Sequence, residues 1–118
     1  MKYLCLLYDD ESIWTKMPKA EYDQYMSAFF AFTEDIKKSK HYLGGEALEP
    51  TSAATTVRVR NGKMSATDGP FAETKEQLGG FYLIEARDLA DAVQVAQRIP
   101  SAPLGSIELR PIMEPGAP

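Results

Sequence analysis

Two segments of the chain are apolar at nearly every position, which is typical of buried strands. Residues 2–8 carry Leu, Cys and Tyr on both alternating faces and end at the acidic run Asp9-Asp10-Glu11. Residues 81–86 repeat this pattern, with Glu85 as the charged exception. Strands that are apolar on both faces indicate a sheet that is covered on both sides.

Two other segments have the spacing of amphipathic helices. Pro18 suits a first helical turn, where its missing N–H has no partner to lose. Residues 18–38 then place one stripe of side chains on a common face: Tyr22, Tyr25, Met26, Phe29, Phe32, Thr33 and Ile36. A second helix is predicted to start at Asp88 as its cap and to stop at Pro100. Its buried side comprises Leu89, Ala92, Val93, Ala96 and Ile99.

A β-hairpin is predicted in the middle of the chain. Residues 55–60 alternate valine with arginine and are followed at once by Asn61-Gly62. Asn and Gly tolerate positive φ at both central positions of a type I′ turn, so this dipeptide indicates a two-residue hairpin. The turn fixes the register and places apolar pairs on one face: Val59 with Met64, and Val57 with Ala66.

A short strand over residues 46–48, after Gly44-Gly45, and a last strand over residues 106–111 complete the pattern. The predicted order is β-α-β-β-β-α-β, or β-α-β-β-α-β if the 46–48 segment belongs to the hairpin strand. Either order indicates an α+β fold of the ferredoxin-like, split βαβ type, with two helices on one face of an antiparallel sheet. We expect residues 1–118 to form a single domain.

Two helices on one face leave the second face of this sheet uncovered. The strands at residues 2–8 and 81–86 are nonetheless apolar on both faces. Monomeric proteins seldom expose an apolar patch of that size. The sequence therefore predicts a homodimer that forms through the sheet face. The rings available to that face include some of Tyr3, Tyr8, Phe81 and Tyr82.

Composition and charge limit the partners and the cellular compartment that we expect for the protein. The net charge is −4 and the one basic cluster is Lys37, Lys38 and Lys40, which argues against nucleic-acid binding. The single cysteine, Cys5, lies in an apolar run, which predicts a buried thiol and a reducing, cytoplasmic location. The apolar run at the start of the chain is too short for a signal peptide or a membrane span.

The sequence contains no recognisable cofactor or metal motif. There is no GxSxG, P-loop or GxGxxG, and the double glycines are too generic to indicate a phosphate site. One histidine, His41, and one distant cysteine make no recognisable zinc site. We therefore expect neither a cofactor nor a metal.

The stretch TDGPFAETKEQLGGF, residues 67–81, has the most unusual composition of any connection in the chain. It leaves the hairpin through about ten residues where two to five suffice, and loops longer than their minimum often carry function. Asp68-Gly69-Pro70 has the chemistry of a turn, and Gly79-Gly80 permits a bulge or the close approach of a backbone or ligand. Phe71 is then an apolar plug beside a charged rim of Glu73, Lys75 and Glu76.

Asp68 and His41 each have a structural and a functional interpretation. Asp68 either caps its own turn or stands beside an apolar cavity, where desolvation makes a carboxylate available for acid–base chemistry. In a third arrangement, Lys75 neutralises it and keeps it ionised. His41, flanked by Lys40 and Tyr42 at a helix exit, is better explained as a surface or capping residue than as a base.

Three segments resemble the DGPF subgroup of the YCII-related family: residues 44–48 (GGEAL), residues 55–58 (TTVR) and residues 67–84 (TDGPFAETKEQLGGFYLI). Residues 105–111 (GSIELRP) are similar to the closing strand of that family. The resemblance covers nearly the whole chain. It implies a ferredoxin-like fold that dimerises sheet to sheet, as in the dimeric α/β-barrel superfamily.

Together with the composition of the loop, this resemblance suggests a small-molecule cleft beside the DGPF loop, with Asp68 as the candidate catalytic residue. The candidate substrate-binding residues are Pro70, Phe71, Glu73, Lys75, Glu46 and His41.

The function of the family is largely unassigned. Its better-understood branch is thought to use a His–Asp pair in a cleft, whereas this chain has no histidine in residues 18–38 and has PSAP at residues 100–103 where that branch places an Asp-Pro. DGPF proteins also resemble modules encoded beside, or fused to, extracytoplasmic-function sigma factors. Three hypotheses follow: an enzyme with an acid–base cleft, an accessory or sensor module of a transcription regulator such as a sigma factor, and a dimeric scaffold without a ligand.

Overall fold

The structure is a computed structural model, and it describes residues 1–115. The last three residues of the expected domain, 116–118, lie outside the described part. The strands are β1 (Lys2–Asp9), β2 (Tyr42–Ala47), β3 (Thr55–Arg60), β4 (Lys63–Asp68), β5 (Gln77–Glu85) and β6 (Ser106–Pro111). The helices are α1 (Ser12–Thr15), α2 (Lys19–Lys38) and α3 (Leu89–Ala96), and a 3-10 turn covers Thr51–Ala53.

Four of the strands form one antiparallel sheet in the order β2-β5-β1-β6. With α2 and α3 as the two crossover helices, this order is the split βαβ arrangement, so the predicted ferredoxin-like α+β fold is confirmed. The predicted sequence of elements is wrong in its strand count. The 46–48 segment is part of a separate strand, β2, which begins already at Tyr42, and β3 with β4 forms a sheet of its own.

The core lies between the helices and one face of the sheet. Alternate residues of β1, Tyr3, Cys5 and Leu7, point into it, and α2 and α3 contribute to the same apolar cluster. Cys5 is fully buried, and burial raises the pKa of its thiol to about 11. The prediction of a buried Cys5 is therefore confirmed. The helical members of this cluster are Phe32, Ile36, Ala92, Val95 and Ala96.

The second face of the sheet carries the other set of alternating residues. Of the four rings considered for this face, Tyr3 and Tyr82 are in the core, so Tyr8 and Phe81 are on the open side. The residues that α2 and α3 give to the core cluster all pack against the other face of the sheet. Its half-buried apolar side chains are Leu4, Leu6, Tyr8, Phe81 and Leu83.

The hairpin of β3 and β4 has the predicted register, with Val59 opposite Met64 and Val57 opposite Ala66. Asn61 and Gly62 have φ values of 53° and 74°, as a type I′ turn requires. The apolar face of the hairpin is not buried, because Val59 and Met64 are 60% and 66% exposed. The hairpin is thus an arm beside the main sheet, and it adds nothing to the core.

None of the helices within residues 1–115 combines the length and the apolarity that crossing a membrane requires.

Candidate functional site

A cavity of about 480 Å³ lies between α2 and the sheet. Its size falls in the range of small-molecule sites in proteins. The polar residues Asp9 and Ser101 lie among its lining, and Glu34, Lys37 and Glu46 provide the charged part. Most of the wall is apolar, and its aromatic side chains are Trp14, Tyr22, Tyr25, Phe29, Phe30, Tyr42 and Tyr82.

Asp9 reaches this cavity because it continues the buried face of β1. The strand alternates, so the last residue lies on the same side as Tyr3, Cys5 and Leu7. The pairing of β1 with β5 has a bulge at Gly79, which lies between the pairs Leu7–Gly80 and Tyr8–Leu78. The bulge changes the register of the two strands just before Asp9. Gly105 packs directly behind it, since a Cβ there would collide with the backbone of Tyr8 and with Asp9.

The Asp9 side chain is buried without a full set of partners. It is 7% exposed, and its Oδ1 accepts no hydrogen bond from any described residue. Buried carboxylates normally have their oxygens satisfied, since the desolvated group is otherwise costly. A buried carboxylate oxygen without a partner, in a cavity wall, therefore indicates a group that is available to a ligand.

The surroundings of Asp9 raise the pKa of its carboxyl. Burial is the main cause, and the negative charges of Glu76 and Asp10 act in the same direction. Hydrogen bonds that the side chains of Trp14 and Tyr25 donate to the carboxylate favour its ionised form and oppose part of the rise in pKa. A carboxyl with this balance is closer than an ordinary aspartate to the pH at which it can exchange a proton.

Two hydroxyl groups accompany Asp9 in the cavity. Burial and the charge of Asp9 raise the pKa of Tyr25 to about 12, so its phenol stays protonated. Ser101 is 3% exposed, and its Oγ is also without a hydrogen-bond partner among the described residues. Two backbone bonds to the Ser101 carbonyl, from the N–H groups of Leu104 and Gly105, shape the turn after α3 that places it there.

The charged residues of the lining include an internal pair on α2. Lys37 Nζ lies 3.5 Å from Oε1 of Glu34 and 5.3 Å from the centroid of the Tyr42 ring. Glu46, on the edge strand β2, lines the cavity and forms no ion pair with any described residue. Glu46 is thus the one predicted binding residue that the structure brings to this cavity.

The DGPF end of the long loop lies away from the cavity. Asp68 ends β4 opposite Thr55, and its carboxylate accepts no hydrogen bond and forms no ion pair within residues 1–115. The turn is held instead by Gly69 N–H, which donates to Ala54 O, and by the Thr56 hydroxyl, which donates to Gly69 O. The exposed loop residues that do not line the cavity are Asp68, Pro70, Phe71, Glu73 and Lys75. Their catalytic and binding roles stay predictions.

The other end of the same loop borders the Asp9 region. Gln77 accepts a hydrogen bond from Glu11 N–H at 2.9 Å and donates to Thr74 O at 2.6 Å. Glu76 accepts one from the Ser106 hydroxyl at 2.9 Å, and its charge raises the pKa of Asp9. The charge of this loop therefore acts on the cavity through Glu76 and not through Asp68.

His41 lies at a different place, where the end of α2 meets the start of α3. Its Nδ1 is 2.7 Å from the Ser39 hydroxyl and its Nε2 is 3.1 Å from Asp91 Oδ2. Asp91 also accepts a hydrogen bond from Arg87 N–H, and this bond is the main cause that lowers the pKa of Asp91. The hydrogen bond with His41 lowers it further. Both ring nitrogens thus have partners, an arrangement that suits the capping interpretation.

Asp9, Tyr25 and Ser101 were not among the candidate site residues from the sequence. A signal for Asp9 was present, because strict alternation places it on the buried face of β1. Tyr25 was assigned to a stripe of core residues, whereas it is half-buried and lines the cavity. Ser101 had no local signal, since its burial depends on how the turn after α3 folds against β1.

Comparison with known proteins agrees with this architecture. The profile of the YCII-related domain matches residues 1–115. An uncharacterised protein of Rhizobium meliloti (strain 1021) is 39% identical over 114 residues, which cover 95% of this chain and 92% of the relative. The chain therefore belongs to the YCII-related family.

Proposed function

We propose that this protein binds a small molecule in the cavity beside Asp9 and that Asp9 exchanges a proton with it, which makes the protein an acid–base enzyme. The observation that carries the proposal is the unpartnered Oδ1 of a buried carboxylate inside a largely apolar cavity. Active sites keep groups of this kind at a cost in stability, because the chemistry needs them unpaired.

The proposal keeps the predicted cleft and moves its chemical centre from Asp68 to Asp9. Asp68 has an exposed side chain, whereas Asp9 is buried and its pKa is raised. The long loop contributes through Glu76 and Gln77 at its second half. Membership of the DGPF subgroup is part of the proposal and is supported by the Asp68-Gly69-Pro70-Phe71 motif.

The proposed enzyme acts as a cytoplasmic homodimer. A buried, unoxidised Cys5 suits a reducing compartment. The open sheet face supplies an apolar surface built from Leu4, Leu6, Phe81 and Leu83, which suits a second subunit.

The test is a ligand screen on the protein and on two matched variants. Asp9→Asn keeps the shape of the side chain and removes its charge and its proton exchange. Asp35→Asn removes the same charge at an exposed position of α2 that does not line the cavity. We expect ligands recovered with the natural protein and with Asp35→Asn to lose binding or turnover in Asp9→Asn. Equal behaviour of the two variants would refute a role for Asp9.

A regulatory module is the second candidate, and the exposed hairpin favours it. The apolar side chains of Val57, Val59 and Met64 are each at least 60% exposed and available to a protein partner. In this case the cavity holds an effector that is returned unchanged, and a sigma factor is the proposed partner. Turnover of a ligand separates the two candidates, because the enzyme consumes it and the sensor does not.

A further inference from the structure

We propose that the natural ligand of the Asp9 cavity carries a protonated amine on an apolar body, so that the ammonium group meets Asp9 and the body lies along the aromatic wall. This inference rests on the proposed function, since it names the class of molecule that the same cavity accepts.

The first argument is the sign of the charges around Asp9. The charged groups that act most strongly on its carboxyl are Glu76 and Asp10, and both are negative. The cations Lys16 and Lys75 lower the pKa of Asp10, and neither is among the causes of the raised pKa of Asp9. A buried carboxylate in negative surroundings attracts a cationic ligand and repels an anionic one.

The cavity as a whole has the same sign. Its only lysine, Lys37, is already paired with Glu34. The titratable groups that face Asp9 or share its cavity are Asp10, Glu34, Lys37, Glu46, Glu76 and the neutral phenols of Tyr22, Tyr25, Tyr42 and Tyr82. After the Lys37–Glu34 pair is set aside, every remaining charge of this set is negative.

The second argument is the nature of the wall. The faces of aromatic rings are negative and attract ammonium groups within about 6 Å of the ring centroid. The protein already shows this contact in the same cavity, where Lys37 Nζ lies 5.3 Å from the Tyr42 ring. Trp14 and Tyr25, which act directly on Asp9, offer rings next to the carboxylate.

The third argument is the unused hydrogen-bonding capacity. Asp9 Oδ1 accepts no bond, and the Ser101 Oγ has no partner among the described residues. An ammonium group carries three donors and no acceptor, so it brings enough donors for both oxygens. A carboxylate ligand would instead bring a second acceptor against Asp9.

The inference gives a definite pH dependence. An ammonium binds the ionised form of Asp9, so its affinity must rise as pH increases through the raised pKa of that carboxyl. Below that pKa the Kd should change by about tenfold per pH unit. A neutral ligand that accepts a bond from protonated Asp9 would show the opposite trend.

The experiment uses three probes with one carbon skeleton: phenethylamine, 2-phenylethanol and phenylacetate. Kd is measured by calorimetry with the full chain over a series of pH values. We expect phenethylamine to bind most tightly, with affinity that rises with pH, and phenylacetate to bind most weakly. The inference of an amine ligand is wrong if the alcohol or the acid binds as tightly as phenethylamine or more tightly. It is also wrong if phenethylamine does not bind at millimolar concentration.

Two variants separate failure of this inference from failure of the proposed function. Asp9→Asn should weaken phenethylamine by about tenfold or more, because a charge-assisted bond is lost, while Asp35→Asn, at an exposed position of α2 outside the cavity, should bind it within about twofold of the natural protein. If the alcohol or the acid binds and its binding depends on Asp9, the proposed function stands and the inference of an amine ligand is wrong. If no probe distinguishes Asp9→Asn from the natural protein, both fail. Circular dichroism checks that each variant is folded.

Discussion

At the scale of single residues, the decisive feature is a carboxylate that the fold buries and does not satisfy. The pKa of Asp9 is raised in the folded protein, mainly by burial. The folded state therefore holds this proton more tightly than the unfolded state does. Below about pH 4, where an ordinary aspartate is protonated, the buried Asp9 is neutral and lowers the free energy of unfolding only a little. As pH rises through its folded pKa the carboxyl must ionise in the cavity, and stability is lost.

The corresponding prediction concerns Asp9→Asn. Its stability should match the natural protein at the acidic end of a pH series and exceed it at neutral pH, by roughly 0.5–2 kcal/mol. Urea unfolding at several pH values measures this difference. A variant that is less stable at neutral pH would mean that the charge of Asp9 supports the fold, in contradiction to its unpartnered oxygen.

A second residue-scale prediction follows from the end of α2. Lys40 has a φ of 66°, and the N–H groups of Lys40 and His41 donate to Lys37 O and Ile36 O. This is a Schellman ending, in which glycine is the favoured residue at the left-handed position. Lys40→Gly should stabilise the protein by about 1 kcal/mol. Ala28→Gly, at an exposed position within α2, is the control and should lose about 1 kcal/mol in the same thermal melts.

At the scale of elements, the sequence predicted those parts of the fold whose signal is local. The helix expected over residues 18–38 is observed as Lys19–Lys38, and the Asp88 cap accepts the N–H of Asp91 as anticipated. The hairpin register is also correct, because a two-residue turn determines it. The start of β2 was missed, since Gly44-Gly45 have no side chains with which to show alternation.

The position of the hairpin relative to the sheet could not be predicted in the same way. Pairing between β3 and β4 is local, but the strand that lies beside β5 is chosen by packing across the whole chain. The sheet instead recruits β2, which is 30 or more residues from β5 in sequence. The candidate site could not be predicted for the same reason, because Tyr25 and Ser101 reach Asp9 from separate elements.

The hairpin supplies a prediction of its own. Gly62→Val places a β-branched residue at a φ of 74°, which should strain the turn by about 1 kcal/mol or more. Because the hairpin forms a separate sheet, the strain should appear as faster amide exchange in β3 and β4, with β1 and β5 unchanged. Lys63→Val, at an exposed strand position, is the control. Unchanged exchange in the hairpin of Gly62→Val would contradict this account of the turn.

At the scale of the whole molecule, the chain is flat and extended for its size. Its radius of gyration is 16.3 Å and its principal extents are 48 × 47 × 19 Å. A compact domain of this length has a radius of gyration of about 13–14 Å. The hairpin accounts for part of the difference, since its apolar face is exposed. A single layer of helices over a single sheet accounts for the short dimension.

The open sheet face leads to the prediction of a homodimer. Sedimentation at micromolar concentration should give about twice the chain mass of 13.1 kDa, because Leu4, Leu6, Phe81 and Leu83 need cover. A monomer at that concentration would refute the proposed interface. Leu4→Glu should convert the dimer to a folded monomer, since the new carboxylate lies beside Arg110 on β6 and is tolerated within one chain. Val93→Glu, on the exposed side of α3, is the matched control and should remain dimeric. If Leu4→Glu sediments as a dimer while the control does too, the subunits must associate through another surface, with the exposed face of the hairpin as the next one to mutate.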